Sequence, residues 1–76
     1  MNILLVDDEI ELTDPLNRIL SKEGYQVDIA VNGLTGINLA LEKEYDLLIL
    51  DWMLPQKSGI EICQKLRSLG NNTPVL

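Results

Sequence analysis

Two short runs that are apolar at every position, Ile3-Leu4-Leu5-Val6 and Leu47-Leu48-Ile49-Leu50, do most to limit what this chain can fold into. A strand with one wet face alternates apolar and polar residues. A strand apolar throughout is covered on both faces, as in a parallel sheet flanked by helices. Each run ends in acid: Asp7-Asp8-Glu9 follows the first and Asp51 the second. In open parallel sheets, binding crevices form at this C-terminal edge. If the two runs are neighbouring strands, about 4.8 Å apart, their acids share one small pocket. Carboxylates that close resist ionising together. The pocket calls for a hard cation, and oxygen-only donors point to Mg2+.

The rest of the chain supplies the helices and strands such a sheet needs. Residues 2–6 read as a first strand. A helical apolar phase follows from Glu9 to Glu23, with Leu12, Leu16, Ile19 and Leu20 on one face. Pro15 interrupts it, and Asp14-Pro15 also fits the cap and first position of a shorter helix. Because the phase runs through Pro15 unbroken, one helix bent there is the preferred reading. Gly24 suits the position just past a helix end. Residues 25–30 alternate, with Tyr25, Val27 and Ile29 against Gln26 and Asp28, as in a half-exposed edge strand. Asn32-Gly33 turns the chain.

A second helix spans 34–43, with Ile37, Ala40 and Leu41 inward, and a third strand spans 46–50. After the loop 51–57, Ser58 and Glu61 have capping-box spacing and open a third helix. Its inner face is Ile62, Cys63, Leu66 and Leu69, and Gly70 ends it. Asn71-Asn72-Thr73-Pro74 is a loop, and Val75-Leu76 begins a fourth strand. The alternation β-α-β-α-β-α-β predicts a parallel sheet with right-handed crossovers. Placing the alternating run at the edge gives the spatial order 2-1-3, continued by strand four. That is the flavodoxin-like doubly wound arrangement.

Composition removes several functions. The net charge is −6 with no histidine and no basic cluster, which disfavours nucleic acid and anionic membranes as direct partners. Without histidine there is no Ser-His or Cys-His pair and no ordinary zinc site. The single cysteine cannot form an internal disulfide, and no signal peptide or membrane-length apolar run is present, so a cytoplasmic location is expected. Cys63, on an apolar helical face, reads as an inert core thiol.

What remains is carboxylate chemistry. A cation bridging Asp7, Asp8 and Asp51 would neutralise the acids and hold a phosphoryl oxygen beside one carboxylate. A carboxylate oxygen is itself a competent nucleophile and yields an aspartyl phosphate. Other readings compete. Asp7-Asp8-Glu9 also suits the positive end of a helix dipole. Asp51 also suits a strand end before a turn. Pro55 and Gly59 also suit ordinary turn punctuation. These explanations must all coincide with a topology that gathers the acids. Ser58 is better explained as a helix cap than as a nucleophile.

The sequence Ile3-Leu4-Leu5-Val6-Asp7-Asp8-Glu9, then Asp51-Trp52-Met53-Leu54-Pro55, then Ser58-Gly59, resembles the N-terminal part of a response-regulator receiver domain of bacterial two-component signalling. The resemblance implies that Asp51 is the phosphoacceptor. It implies that Asp8, Asp51 and the Met53 backbone carbonyl ligate Mg2+, with Asp7 acting through water. Pro55 and Gly59 would shape the loop over the site. The stretch from Asp51 to Pro55 is most similar to transcriptional regulators with a winged-helix DNA-binding domain. The implied partners are a sensor histidine kinase and, through an effector domain, DNA.

Receivers usually have five strands, with a Ser or Thr ending the fourth and a Lys and an aromatic switch residue near the end of the fifth. These would fall beyond Leu76, and Lys57 is no substitute for the Lys. The expectation is therefore a partial receiver over residues 1–76, of order 2-1-3-4-5 when complete. Such a piece, taken alone, is expected to be partly molten or to self-associate through an exposed strand edge. Two further functions stand beside the phosphoacceptor. One is an interaction fragment that no longer signals. The other is an enzyme of the aspartate-nucleophile phosphatase kind, and that reading is disfavoured because Met53 stands where those enzymes often place a second acid.

Overall fold

The computed structural model describes residues 1–51, 54 and 58–76. Asn2–Val6 (β1), Ile10–Lys22 (α1), Gln26–Ala30 (β2), Gly33–Glu42 (α2), Leu47–Leu50 (β3) and Gly59–Ser68 (α3) alternate along the chain. The strands form one parallel sheet in the order β2-β1-β3, as the sequence pattern requires. Ile3 lies opposite Val27 and Leu47, and Val6 opposite Ala30 and Leu50. Val75 bridges to Leu48 in parallel. The Leu48 N–H donates to Pro74 O at 2.9 Å and the Leu76 N–H to Leu48 O at 2.8 Å. The fourth-strand segment thus lies along the outer edge of β3.

Successive strand residues face opposite sides of the sheet, which divides the core by parity. Leu4, Val6, Leu48 and Leu50 meet Ile37 and Ala40 of α2, Ile62 and Leu66 of α3, and Leu54. Right-handed crossovers that run in opposite directions from the first strand put α1 on the other face. There Ile3 and Leu5 are buried, but Leu47 and Ile49 are only half-buried. Full burial, expected for both apolar runs, therefore holds for β1 and not for this face of β3. A helix is roughly 10 Å across, about two strand spacings, and α1 packs against β2.

The helix faces depart from the apolar pattern. Among the described side chains of α1 the buried one is Thr13, with Leu16, Asn17 and Leu20 half-buried in the same phase, whereas Leu12 and Ile19 are each 60% exposed. Leu41 of α2 and Leu69 after α3 are exposed rather than inward. Cys63 is half-buried against the core. The chain carries more helix leucines than the sheet can cover, so apolarity alone does not identify the inner stripe. α1 runs through Pro15 without restarting there. It forgoes the backbone bond that residue 15 would have given to Glu11.

Both Gly24 and Gly70 have positive φ, 91° and 83°. Each sits one residue past its helix cap. The following N–H reaches back to the last turn, Tyr25 to Leu20 O and Asn71 to Leu66 O. This is the paired-bond helix stop that favours glycine. Asn32 and Ser58 cap α2 and α3 through bonds from Thr35 N and Glu61 N, so Asn32-Gly33 starts a helix rather than forming a free turn. Gly36 fits because α2 rides directly on β1: a Cβ there would lie 2.8 Å from a Val6 methyl.

On the even-numbered face of β2, Asp28 accepts a hydrogen bond from the buried Tyr45 hydroxyl at 2.6 Å and one from Lys43 Nζ at 3.2 Å. The Tyr45 bond, followed by Lys43, holds the Asp28 carboxyl below the usual carboxylate range. Burial, then the adjacent Asp28 anion, pushes the Tyr45 hydroxyl above its ordinary range. A depressed carboxylate stabilises the fold above its unfolded pKa of about 3.9. That contribution is lost as the pH falls through the lower folded value. Tyr45→Phe should therefore lower stability by about 1 kcal/mol at neutral pH. In urea titrations the gap from wild type should narrow as the pH drops below about 4. A gap that widens on acidification would contradict the assignment.

Candidate functional site

Backbone pairing continues one step past the strands and sets the acids level with one another. The Asp7 N–H donates to Ala30 O at 3.0 Å, and the Asp51 N–H donates to Val6 O at 2.9 Å. Asp51 is thereby fixed beside the Val6–Asp7 step. Asp7 Oδ1 accepts the Glu9 N–H at 2.9 Å, which turns the chain sharply from the sheet edge into α1. Asp7, Asp8, Glu9 and Asp51 then each offer a carboxylate oxygen, all within 4.8 Å of one another. Asp7 and Asp51 are half-buried; Asp8 and Glu9 are exposed.

Helix capping does not account for this gathering. Glu9 is the N-cap of α1, yet its side chain makes no capping bond. Its carbonyl receives the Leu12 and Thr13 N–H groups instead. Asp7, Asp8 and Asp51, the three acids singled out from the sequence, are brought together as expected. Glu9 was visible only as part of an acid run, and its place in the cluster depends on the turn made by Asp7. Ser58 has the capping role read for it, since its Oγ accepts the Glu61 N–H at 3.2 Å. Gly59 opens α3 and is buried. Met53, with its backbone carbonyl, and Trp52, Pro55 and Lys57 lie outside the described residues.

The donor set fits a hard divalent cation: it is oxygen only and anionic, and it stands at a sheet edge open to water. Oxygens on one Mg2+ at about 2.1 Å can be no more than about 4.2 Å apart. A spread of up to 4.8 Å suits a site where some carboxylates bind directly and others act through water.

Comparison with known proteins agrees with this geometry. The response regulator receiver domain model matches residues 3–76. The chain is 50% identical over 76 residues to the probable transcriptional regulatory protein SilR of Salmonella typhimurium, covering all of this chain and 33% of that protein. It thus spans about a third of that relative's length. It superposes on the response regulator protein TrrA of Thermotoga maritima in complex with Mg2+-BeF with a TM-score of 0.90 and 35% identity, over 97% of this chain and 64% of that one. For the complex of the histidine kinase ThkA with TrrA the TM-score is 0.88, with the same identity and coverage. A family match that leaves out only Met1 and Asn2 settles the assignment: the chain belongs to the response regulator receiver domain family.

Proposed function

We propose that this domain accepts a phosphoryl group on Asp51 from a sensor histidine kinase and passes the signal to a DNA-binding effector domain outside these residues. The observation that carries the reading is the convergence of four carboxylates at the C-terminal edge of β1 and β3. In the proposed site, Asp8, Asp51 and the Met53 carbonyl would hold Mg2+, with Asp7 acting through water. When bound, Mg2+ neutralises the acids and holds a phosphoryl oxygen. An Asp51 carboxylate oxygen forms the new bond to phosphorus. The bond from phosphorus to the donor's imidazole nitrogen breaks, and the imidazole leaves with a proton.

The domain then acts as a signalling module rather than a turnover enzyme. The TrrA complexes with Mg2+-BeF and with ThkA support the cation and the kinase. The name of SilR supports a transcriptional output. Among the described residues no helix is long and apolar enough to cross a membrane, and a cytoplasmic location is part of the proposal. So is self-association, through the lightly covered sheet face where Leu47 and Ile49 of β3 are half-exposed.

The test uses the full-length protein that carries this domain. Incubated with a small acyl phosphate, it should take up phosphoryl only when Mg2+ is present, and hydroxylamine should release the label, as it does from an acyl phosphate. A label that resists hydroxylamine, or that forms equally in chelator, would rule out an aspartyl phosphate at this site.

A further inference from the structure

The four carboxylates outnumber what one Mg2+ takes up directly. Mg2+ dehydrates reluctantly and is usually held by one or two carboxylates, keeping several waters. A spread of up to 4.8 Å also exceeds one coordination shell. Asp51, beside Val6, and Asp8 are the direct ligands in the reading above, and Asp7 already spends one oxygen on the Glu9 N–H. Glu9 is left with a carboxylate inside the cluster and no capping bond to make, although it occupies the N-cap position. Its longer side chain reaches the same space from the start of α1.

We infer that Glu9 is a positioning residue for the divalent cation, accepting a hydrogen bond from a metal-bound water and raising affinity for the ion without ligating it. The inference rests on the Mg2+ site proposed above and adds a residue to it. A single negative charge about 5 Å from a dication, in a largely solvated setting, changes affinity by roughly three- to tenfold. The effect should shrink with added salt, because Glu9 is exposed.

The experiment is a calorimetric Mg2+ titration of the unphosphorylated full-length protein. Glu9→Gln should weaken binding roughly three- to tenfold at low salt and less at high salt, with an unchanged thermal melt in chelator. Glu11→Gln is the control. It removes an acid from the same first turn of α1 but lies outside the cluster, so it should leave Mg2+ affinity within twofold of wild type. Glu9→Gln binding Mg2+ as well as wild type would overturn the inference. So would Glu11→Gln weakening it equally, since a general helix-end charge effect would then suffice. Asp8→Ala separates the two levels of the argument. If it abolishes binding while Glu9→Gln has no effect, only the role of Glu9 fails. If it binds normally, the metal site itself is wrong.

Discussion

Asp51→Asn should give a folded protein that no longer accepts phosphoryl groups. The amide keeps the size and shape of the carboxylate. The backbone bond that seats the residue, from Asp51 N–H to Val6 O, is untouched by the change. What disappears is the anionic oxygen that, in the proposed reaction, forms the bond to phosphorus. Removing a reacting nucleophile takes away the covalent step itself, so labelling should fall by roughly two orders of magnitude or more. Circular dichroism and the thermal midpoint should stay close to wild type. Phosphorylated protein digested and mapped by mass spectrometry should carry the modification on Asp51. Undiminished label in Asp51→Asn, or a modified peptide centred on Ser58, would remove Asp51 from the role.

The largest structural effect is expected from Leu4→Ala. Leu4 is fully buried at the centre of β1, the middle strand, in the cluster it shares with Leu48, Ile62 and Leu66. Truncating a leucine in such a site loses transfer free energy and leaves a cavity, about 2–5 kcal/mol in all. Native domains have only about 5–15 kcal/mol of stability in total. One substitution therefore removes a large share of it. Leu12→Ala, made on a side chain that is 60% exposed, should change stability by less than about 1 kcal/mol. Urea unfolding at one protein concentration checks both. Equal effects from the two would mean that the exposure pattern of β1 and α1 is wrong.

Strand positions and sheet order were legible because a parallel sheet leaves a strong local mark: four apolar residues in a row, then acid. The acids could be placed for the same reason, since Asp7, Asp8 and Asp51 immediately follow those runs. Helix orientation was not legible. Leu12 and Ile19 look like core residues, and only packing shows that they are exposed while Thr13 is buried. Side-chain links across elements left no local mark either. Alternation along β2 suggests a solvated Asp28, but Tyr45, 17 residues on, reaches it with a hydrogen bond. Glu9 is a third case, because its carboxylate is aimed by a bond between Asp7 Oδ1 and its own backbone N–H.

The pairing that carries Val6 opposite Leu50, and then Asp51 N–H onto Val6 O, spans 44 residues of chain. A slip of one residue would shift Asp51 along β1 by about 3.3 Å, farther than a metal–oxygen bond is long. A collapsed but misregistered chain would bury much the same leucines and still hold no cation. Ion binding is thus a gauge of strand alignment rather than of compaction. An ion that recognises only the aligned sheet acts after β1 and β3 have met, so it retards unfolding more than it hastens folding. In the proposed site, the residues that would hold the cation also report on the alignment of the sheet that presents them.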